Sequence, residues 1–205
     1  DDLLPVADVA RKHNLFVVSD EIYDRLVYGV KHTCVASLPG MRERTVTISS
    51  LSKTFCCTGW RIGYAIATPE RTDAIRKVHD FLTVGAPAPL QDAAAIGYSF
   101  GEDYYATLAE DYRARRAFLG DALRKAGFKF AEPDGAYYFF VDFSAISTLD
   151  DVAFAEWLTK EIGVATVPGS SFYRPGAPEA KRYTRFAFCK KMDTLERAVE
   201  RLQRL

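Results

Sequence analysis

The sequence is poor in cysteine and has no long apolar run. Its four cysteines are Cys34, Cys56, Cys57 and Cys189, and their spacing fits neither a zinc site nor a dense disulfide framework. We therefore expect small buried thiols in a reducing compartment. No apolar run approaches the ~20 residues needed to span a bilayer. The chain starts with neither Met nor a signal peptide, so we expect a processed or fragmentary cytoplasmic protein without a membrane partner.

The sequence also lacks a charge excess of either sign. Acidic and basic residues number 27 each, so there is no electrostatic footprint for nucleic acid. With 48% hydrophobic and 26% charged residues, the composition is that of a globular protein. Its length suits one large domain or two small ones.

The first part of the chain alternates helix and strand patterns. Residues 3–13 predict a helix, and the continuous apolar run 15–18 predicts a strand covered on both faces. Residues 45–49 and 61–67 predict two further strands, and residues 69–81 a helix that opens with a proline. Such alternation is typical of an α/β sheet.

The second part has longer helices and aromatic strands. Residues 102–126, 150–162 and 192–205 predict helices, while 136–143 and 183–189 predict strands. This pattern indicates an α+β subdomain.

Three short motifs follow predicted strands, where open α/β sheets place their ligands. The first is Ser19-Asp20-Glu21-Ile22-Tyr23. Residues three apart on a strand point to opposite faces, so Asp20 and Tyr23 can face one ligand only if the strand ends near Glu21. The alternative is a helix N-cap made by Asp20, with Tyr23 packed beneath it.

The second motif places Lys53 among the hydroxyl residues Ser49, Ser50, Ser52 and Thr54. A lysine at a strand end serves as a nucleophile once it is partly desolvated. A solvated lysine or a lysine that grips phosphate is the alternative, but the glycines of a P-loop are missing.

The third motif sets Arg61 between Gly59 and Gly63. A guanidinium at the start of a buried strand suits an anion, because it matches phosphate oxygens in a bidentate fork. An internal ion pair is the alternative.

In this order, D-x-x-Y, S-x-S-K and G-W-R-I-G resemble the class I aminotransferases of the aspartate-aminotransferase fold type, which use pyridoxal 5′-phosphate (PLP). The resemblance covers nearly the whole chain. It implies an α/β fold in which residues 1–100 are the carboxyl-terminal part of the PLP-binding large-domain sheet. Residues 101–205 would be the smaller α+β domain that closes on the substrate.

The resemblance also implies a role for each motif residue. Lys53 would form the Schiff base with PLP and then move a proton, which needs an amine that can be neutral. Asp20 would pair with the pyridine nitrogen and keep the ring an electron sink, and Tyr23 would donate to the ring's phenolic oxygen. The phosphate would be held by a helix end and by Ser50, Ser52 and Arg61.

In the second part, Arg185 matches the family's arginine for the substrate α-carboxylate, with Arg182 as the neighbour most easily mistaken for it. On its own, Arg185 could be an exposed strand arginine. The loop at 133–137 resembles one that shapes the substrate pocket, and residues 164–172 resemble a loop that closes on the substrate. Residues 85–89 resemble a segment near the subunit interface of the family's homodimer.

The chain departs from the family mainly by absence. It has no Gly-containing phosphate loop, ring-stacking aromatic or N-P-x-x-P-T-G asparagine from the family's amino-terminal half. We expect an unpaired sheet edge, and we hypothesise that this chain alone folds poorly or holds PLP weakly. Cys56 and Cys57 replace small or apolar residues, so we expect both to pack.

An aminotransferase acting on an amino acid and a 2-oxo acid is the leading interpretation. A PLP-dependent carbon–sulfur lyase has the same motifs. A non-catalytic effector-sensing domain of this fold and an inert gene fragment are further alternatives.

Overall fold

The computed structural model describes residues 2–205. It forms two compact units, unit 1 up to Ala106 and unit 2 from Thr107 to Leu205. The predicted boundary after residue 100, between parts of a large and a small domain, remains a prediction. Across residues 2–205, none of the helices has the length and apolar character that crossing a bilayer requires.

Unit 1 alternates helices and strands, as the sequence predicts. Its main elements are α1 (Leu4–Lys12), β1 (Val17–Asp20), β2 (Thr45–Ser50), α2 (Leu51–Thr54), β3 (Gly63–Ile66), α3 (Pro69–Leu82) and α4 (Ala88–Tyr98). Proline in the first turn and basic residues in the last suit the ends of α1. The chain leaves α1 at Asn14, which has a positive φ of 49°, a conformation that asparagine tolerates.

The sheet of unit 1 has the order β1-β2-β3, with β1 parallel and β3 antiparallel to β2. Asp20 lies opposite Ile48, two residues before β2 ends at Ser50. Both strands therefore end at the same edge of the sheet. Gly63 lies opposite Ser50, and a Cβ there would approach the Ser49 carbonyl oxygen to 2.9 Å, so only glycine lets β3 begin so close to that edge.

The prediction for β1 is wrong in two respects. The strand begins at Val17, because the Leu15 N–H donates to the Ala10 carbonyl and closes the end of α1 (2.8 Å). The strand is also not covered on both faces, since Val18 is 68% exposed. No layer formed by residues 2–205 packs on that side of Val18.

Unit 2 is an α+β arrangement. Helix α5 (Glu102–Lys125) begins before it, and its further elements are β4 (Tyr138–Asp142), α6 (Asp151–Trp157), β5 (Val167–Pro168), β6 (Tyr183–Ala187) and α7 (Met192–Leu202). The sheet is antiparallel with the order β4-β6-β5. A π-helical turn, Leu158–Ile162, continues α6 to Gly163 in the left-handed region, which explains the single helix that the sequence predicts there.

Aromatic side chains form the core of unit 2. Phe139, Phe143, Phe154 and Phe188 are each at most 1% exposed, and the rings of Phe143 and Phe154 stack at 3.9 Å. Burial alternates along β4 and β6, so one face of the sheet meets this core and the other stays accessible. Arg185 lies on the accessible face.

Most predicted elements agree with the structure to within two residues at each end. Helix α4 is an exception, because the sequence patterns predict no helix for Ala88–Tyr98. Proline at the first turn of a helix is favourable, and Pro89 occupies that place in α4. The pattern therefore also fitted a helix start.

Candidate functional site

The first two motifs lie together at the edge where β1 and β2 end. Asp20 is exposed at the last position of β1, and its Oδ1 accepts a hydrogen bond from the Ile22 N–H (3.3 Å). The chain then turns without forming a helix. The strand therefore ends next to Glu21, which is the condition for Asp20 and Tyr23 to face one ligand.

Lys53 lies one turn beyond the end of β2, in α2. Its Nζ is 6.0 Å from the centroid of the Tyr23 ring, at the outer limit of a cation–π contact. Both side chains are half-buried. The structure thus brings together the lysine of the second motif and the tyrosine of the first.

Ser50 and Ser52 occupy different environments in the same turn. Ser50 is the N-cap of α2, and its hydroxyl accepts from the Ser52 N–H (3.2 Å). Ser52 is buried, and its carbonyl accepts from the Thr58 hydroxyl (3.0 Å). The half-buried Ser50 hydroxyl is the more accessible of the two.

Arg61 lies beside this turn in a left-handed conformation, with φ 56° and ψ 39°. A weak hydrogen bond from the Leu51 N–H to the Ile62 carbonyl (3.4 Å) joins the segment to the start of α2. The guanidinium is exposed and donates to the Thr58 carbonyl (2.9 Å). Among residues 2–205 no carboxylate forms an ion pair with Arg61. The alternative of an internal ion pair is therefore wrong for the described chain.

These groups fit PLP in kind. A guanidinium and a hydroxyl suit its phosphate, a carboxylate suits its pyridine nitrogen, and an amine suits its aldehyde carbon. Because Gly63 has no side chain, the backbone after Arg61 can pack directly against Ser50. Among the residues that the structure describes, no group of three or more His, Cys, Asp or Glu side chains is placed to hold a metal ion.

Sequence reasoning missed the carboxylate next to Asp20. Glu21 is 7% exposed, and it contacts His32 Nε2 (2.8 Å) and accepts from the Val35 N–H (3.1 Å). Burial raises its pKa, but the hydrogen bonds from His32 and Val35 outweigh this, so the pKa of Glu21 lies below its ordinary value. Glu21 thereby ties residues 32–35 to the end of β1. The only sequence signal was an acidic side chain directly after a predicted strand.

Sequence reasoning also missed the aromatic cluster behind the lysine turn. The ring of Phe55 lies 5.5 to 6.5 Å, between centroids, from four others, those of Tyr98, Phe100, Tyr104 and Tyr105. The Tyr104 hydroxyl donates to the Thr54 carbonyl (2.8 Å). The backbone next to Lys53 is therefore anchored by residues far along the chain, which no local pattern reveals.

Arg185 is held in unit 2 by rings rather than by carboxylates. Its guanidinium carbon lies 4.0 Å from the centroid of the Tyr138 ring and 4.4 Å from that of Phe172. Its Nε is buried without a hydrogen-bond partner. The neighbour Arg182 is exposed. Its Nε lies 3.5 Å from Asp142 Oδ2, and its guanidinium donates to the Tyr183 hydroxyl (2.8 Å). Arg185 is thus not the simple exposed strand arginine that the sequence left open.

The cysteines differ from expectation. All four are free, and none is fully buried. Cys57 is partly buried, which raises its pKa, and its thiol donates to the Leu51 carbonyl (3.3 Å). Cys56 is exposed, with a positive φ of 53°. The expectation that both cysteines pack is therefore wrong for Cys56, because the turn after Lys53 directs it outward.

Comparison with known proteins places the chain in one family. Residues 1–202 match the family model described as aminotransferase class I and II. The methionine aminotransferase of Escherichia coli is 40% identical over 94% of this chain and 50% of that protein. A kynurenine–oxoglutarate transaminase of Dictyostelium discoideum is 36% identical over 100% of this chain and 52% of that protein.

A solved structure gives the same result for the fold. The N-succinyldiaminopimelate aminotransferase of Mycobacterium tuberculosis superposes with a TM-score of 0.92 at 37% identity, over 96% of this chain and 51% of that one. The chain therefore spans about half the length of the curated relatives it matches.

Proposed function

Because this chain belongs to the class I and II aminotransferases, which depend on PLP, we propose that it carries the lysine-bearing part of an enzyme that transfers an amino group between an amino acid and a 2-oxo acid. The family, the fold type and the cofactor class predicted from three motifs are confirmed. The observation that carries the proposed activity is the placement of Lys53 and Asp20 at one sheet edge, where β1 and β2 both end.

Bound PLP supplies an electron sink for the α-carbon of the substrate. Under this proposal the Asp20 carboxylate holds a proton on the ring nitrogen, and the Tyr23 hydroxyl donates to the ring oxygen. Ser50 and Arg61 bind the phosphate with charge-assisted hydrogen bonds, and Ser52 supports them from its buried position.

Lys53 then takes the proton from the substrate α-carbon. A lysine suits this step because its flexible stem carries one basic amine that can act as a base when neutral. The base must stay within reach of the reacting atom. The Phe55 cluster and the hydrogen bond from Tyr104 to Thr54 support this by anchoring the backbone next to Lys53.

Arg185 binds the α-carboxylate of the substrate in a bidentate pair. Two parallel hydrogen bonds orient the substrate as well as bind it, so they determine which α-carbon bond is broken. Two observations support this role of Arg185. It has no competing ion pair within residues 2–205, and it lies on the accessible face of the sheet.

The substrates under this proposal are an amino acid and a 2-oxo acid, and the complete protein is a cytoplasmic homodimer of the family's usual kind. The relatives named above are aminotransferases, which favours transamination over the carbon–sulfur lyase alternative. Their names specify different amino acids, so the proposal stays with the class.

The test is selective labelling of Lys53. The chain is incubated with excess PLP, reduced with borohydride, digested, and its pyridoxyl-labelled lysines are quantified by mass spectrometry. A built site concentrates the aldehyde at one amine, so we expect label at Lys53 to exceed label at the exposed Lys125 by about tenfold or more.

The control is the Asp20→Asn variant, which keeps Lys53 but removes the partner of the ring nitrogen. It should lower labelling at Lys53 and leave labelling at Lys125 unchanged. Equal labelling of the two lysines in the native chain would contradict the proposed site.

A further inference from the structure

Two aromatic rings pack against the guanidinium of Arg185. The guanidinium carbon is 4.0 Å from the centroid of Tyr138 and 4.4 Å from that of Phe172, both well within the range of a cation–π contact. Tyr138 and Phe172 are called the aromatic pair below. They come from different parts of unit 2, so the arrangement is tertiary.

Sheet register fixes the first ring of the pair. Arg185 lies opposite Phe140 in the pairing of β4 with β6. Residues two apart on a strand share a face, so Tyr138 is on the same accessible face as Phe140 and Arg185. A diagonal neighbour in an antiparallel pair is within reach of long side chains, which brings the Tyr138 ring to the guanidinium.

Tight packing of the preceding loop fixes the second ring. Gly169 is buried, and a Cβ on it would lie 2.3 Å from the Ala180 carbonyl oxygen. The Ser170 N–H donates to the Asp151 carboxylate (2.7 Å), and Asp151 is only 3% exposed. Phe172, three residues beyond Gly169, therefore extends from an anchored backbone. Its ring also packs edge-on against Phe140, with centroids 5.7 Å apart.

The ring contacts of Arg185 leave its Nε–H without an acceptor among the described residues. No carboxylate among residues 2–205 forms an ion pair with Arg185 either. Aromatic ring faces attract the charge but do not replace the in-plane acceptors that guanidinium N–H groups prefer. A planar carboxylate arriving at the edge of the guanidinium would supply two such acceptors.

We propose that Tyr138 and Phe172 are positioning residues that hold the Arg185 guanidinium in the orientation in which it binds the substrate carboxylate. This inference rests on the proposed role of Arg185 in the aminotransferase. In this arrangement the aromatic pair takes the place of the Asp or Glu side chain that would otherwise orient a half-buried arginine. Binding is then selective for the carboxylate, because no anionic side chain among the described residues pairs with the guanidinium.

The first experiment tests the arrangement without any ligand. Ring currents of the aromatic pair should shift the Arg185 Nε–H and δ-methylene signals in the NMR spectrum of the 205-residue chain, assigned with Arg185→Lys. Phe172→Leu should remove a large part of the shift, and Phe172→Tyr should retain it. Tyr173→Leu is the matched control, because Tyr173 packs on Phe140 and Tyr183 instead. Unchanged Arg185 signals in Phe172→Leu would overturn the proposal.

The second experiment measures carboxylate binding. Sodium pyruvate is titrated while the Arg185 Nε–H signal is followed, and methyl pyruvate serves as the probe without a carboxylate. We expect Phe172→Leu and Tyr138→Leu each to weaken pyruvate binding roughly threefold to thirtyfold, with Phe172→Tyr and Tyr173→Leu close to the native chain.

The outcomes separate the two proposals. If pyruvate does not affect Arg185 in the native chain, the carboxylate role is wrong, whatever the ring-current result. If pyruvate binds in the native chain and binds equally well in Phe172→Leu and Tyr138→Leu, the carboxylate role stands and the positioning role is overturned.

Discussion

Units 1 and 2 bury their apolar side chains to very different degrees. In unit 2 four phenylalanines are at most 1% exposed, and their rings pack as two pairs, Phe139 with Phe188 and Phe143 with Phe154. In unit 1 the exposed large apolar residues include Phe81 at 93%, Leu82 at 75% and Phe16 at 73% exposed. Helix α3 has no buried residue at all.

Exposed apolar residues of unit 1 lie on both faces of its sheet and on α3. Val18 and Ile66 lie on its sheet strands at 68% and 62% exposed, and Val78 adds to those of α3 at 59%. Large apolar side chains this exposed on a sheet and a helix suit surfaces that other elements cover. Relatives of about twice the length have further chain available for this. The three motifs therefore lie in the unit whose apolar side chains are covered less by residues 2–205.

The largest expected effect on the free energy of unfolding comes from a matched pair of phenylalanine substitutions, one in each unit. Phe139→Ala should lower the free energy of unfolding of unit 2 by about 3–5 kcal/mol, because it leaves a cavity in a packed core. Phe81→Ala should change that of unit 1 by less than about 0.5 kcal/mol, since the ring is already solvated.

Each unit contains one tryptophan, Trp60 and Trp157, so urea unfolding can be followed separately. The Trp60→Phe background reports on unit 2 and the Trp157→Phe background on unit 1. A cost of several kcal/mol for Phe81→Ala would show that α3 is covered in solution, and the contrast between the units would then be wrong.

Hydrogen exchange tests the difference in apolar burial between the two units strand by strand. Backbone amides of β1 and β3 should exchange roughly 100-fold faster than those of β4 and β6, a difference of about 2.7 kcal/mol in opening free energy. The reason is that the unit 1 sheet has little apolar cover. Peptide-resolved deuterium uptake measures this, and equal protection of the two sheets would contradict it.

The smallest expected effect concerns the buried carboxylate of unit 1. The pKa of Glu21 is lowered in the folded state, so its stabilisation is fully present above its ordinary value of 4.5 and is lost as the pH falls through the lowered value. Glu21→Gln should cost unit 1 about 1 kcal/mol at neutral pH and flatten its acid dependence.

Urea titrations over a range of pH, read at Trp60, check this prediction. The matched control is Asp142→Asn in unit 2, where hydrogen bonds from Ser144 and the charge of Arg182 lower the carboxylate pKa against the effect of burial. Asp142→Asn should change the acid dependence at Trp157 only. A Glu21→Gln chain that keeps the native acid dependence would show that Glu21 does not stabilise the end of β1.

Sequence patterns predicted most helices and strands because apolar periodicity and proline or glycine signals act locally. They failed where a neighbour in space decided the outcome. Leu15 and Phe16 have strand-like side chains, yet a hydrogen bond from Leu15 to Ala10 makes them part of the exit from α1. Likewise, the packing expected for Cys56 failed because the backbone turns outward there.

The sequence by itself determined the family, the fold type, the cofactor class and the lysine for which a site is proposed, because short motifs of chemically special residues carry that information. Only the tertiary structure decided how those residues are supported. Glu21 meets His32, Phe55 meets Tyr104, and Arg185 meets Phe172. Each of these contacts joins segments that are distant in sequence, and it forms only because strand register and close packing bring them together.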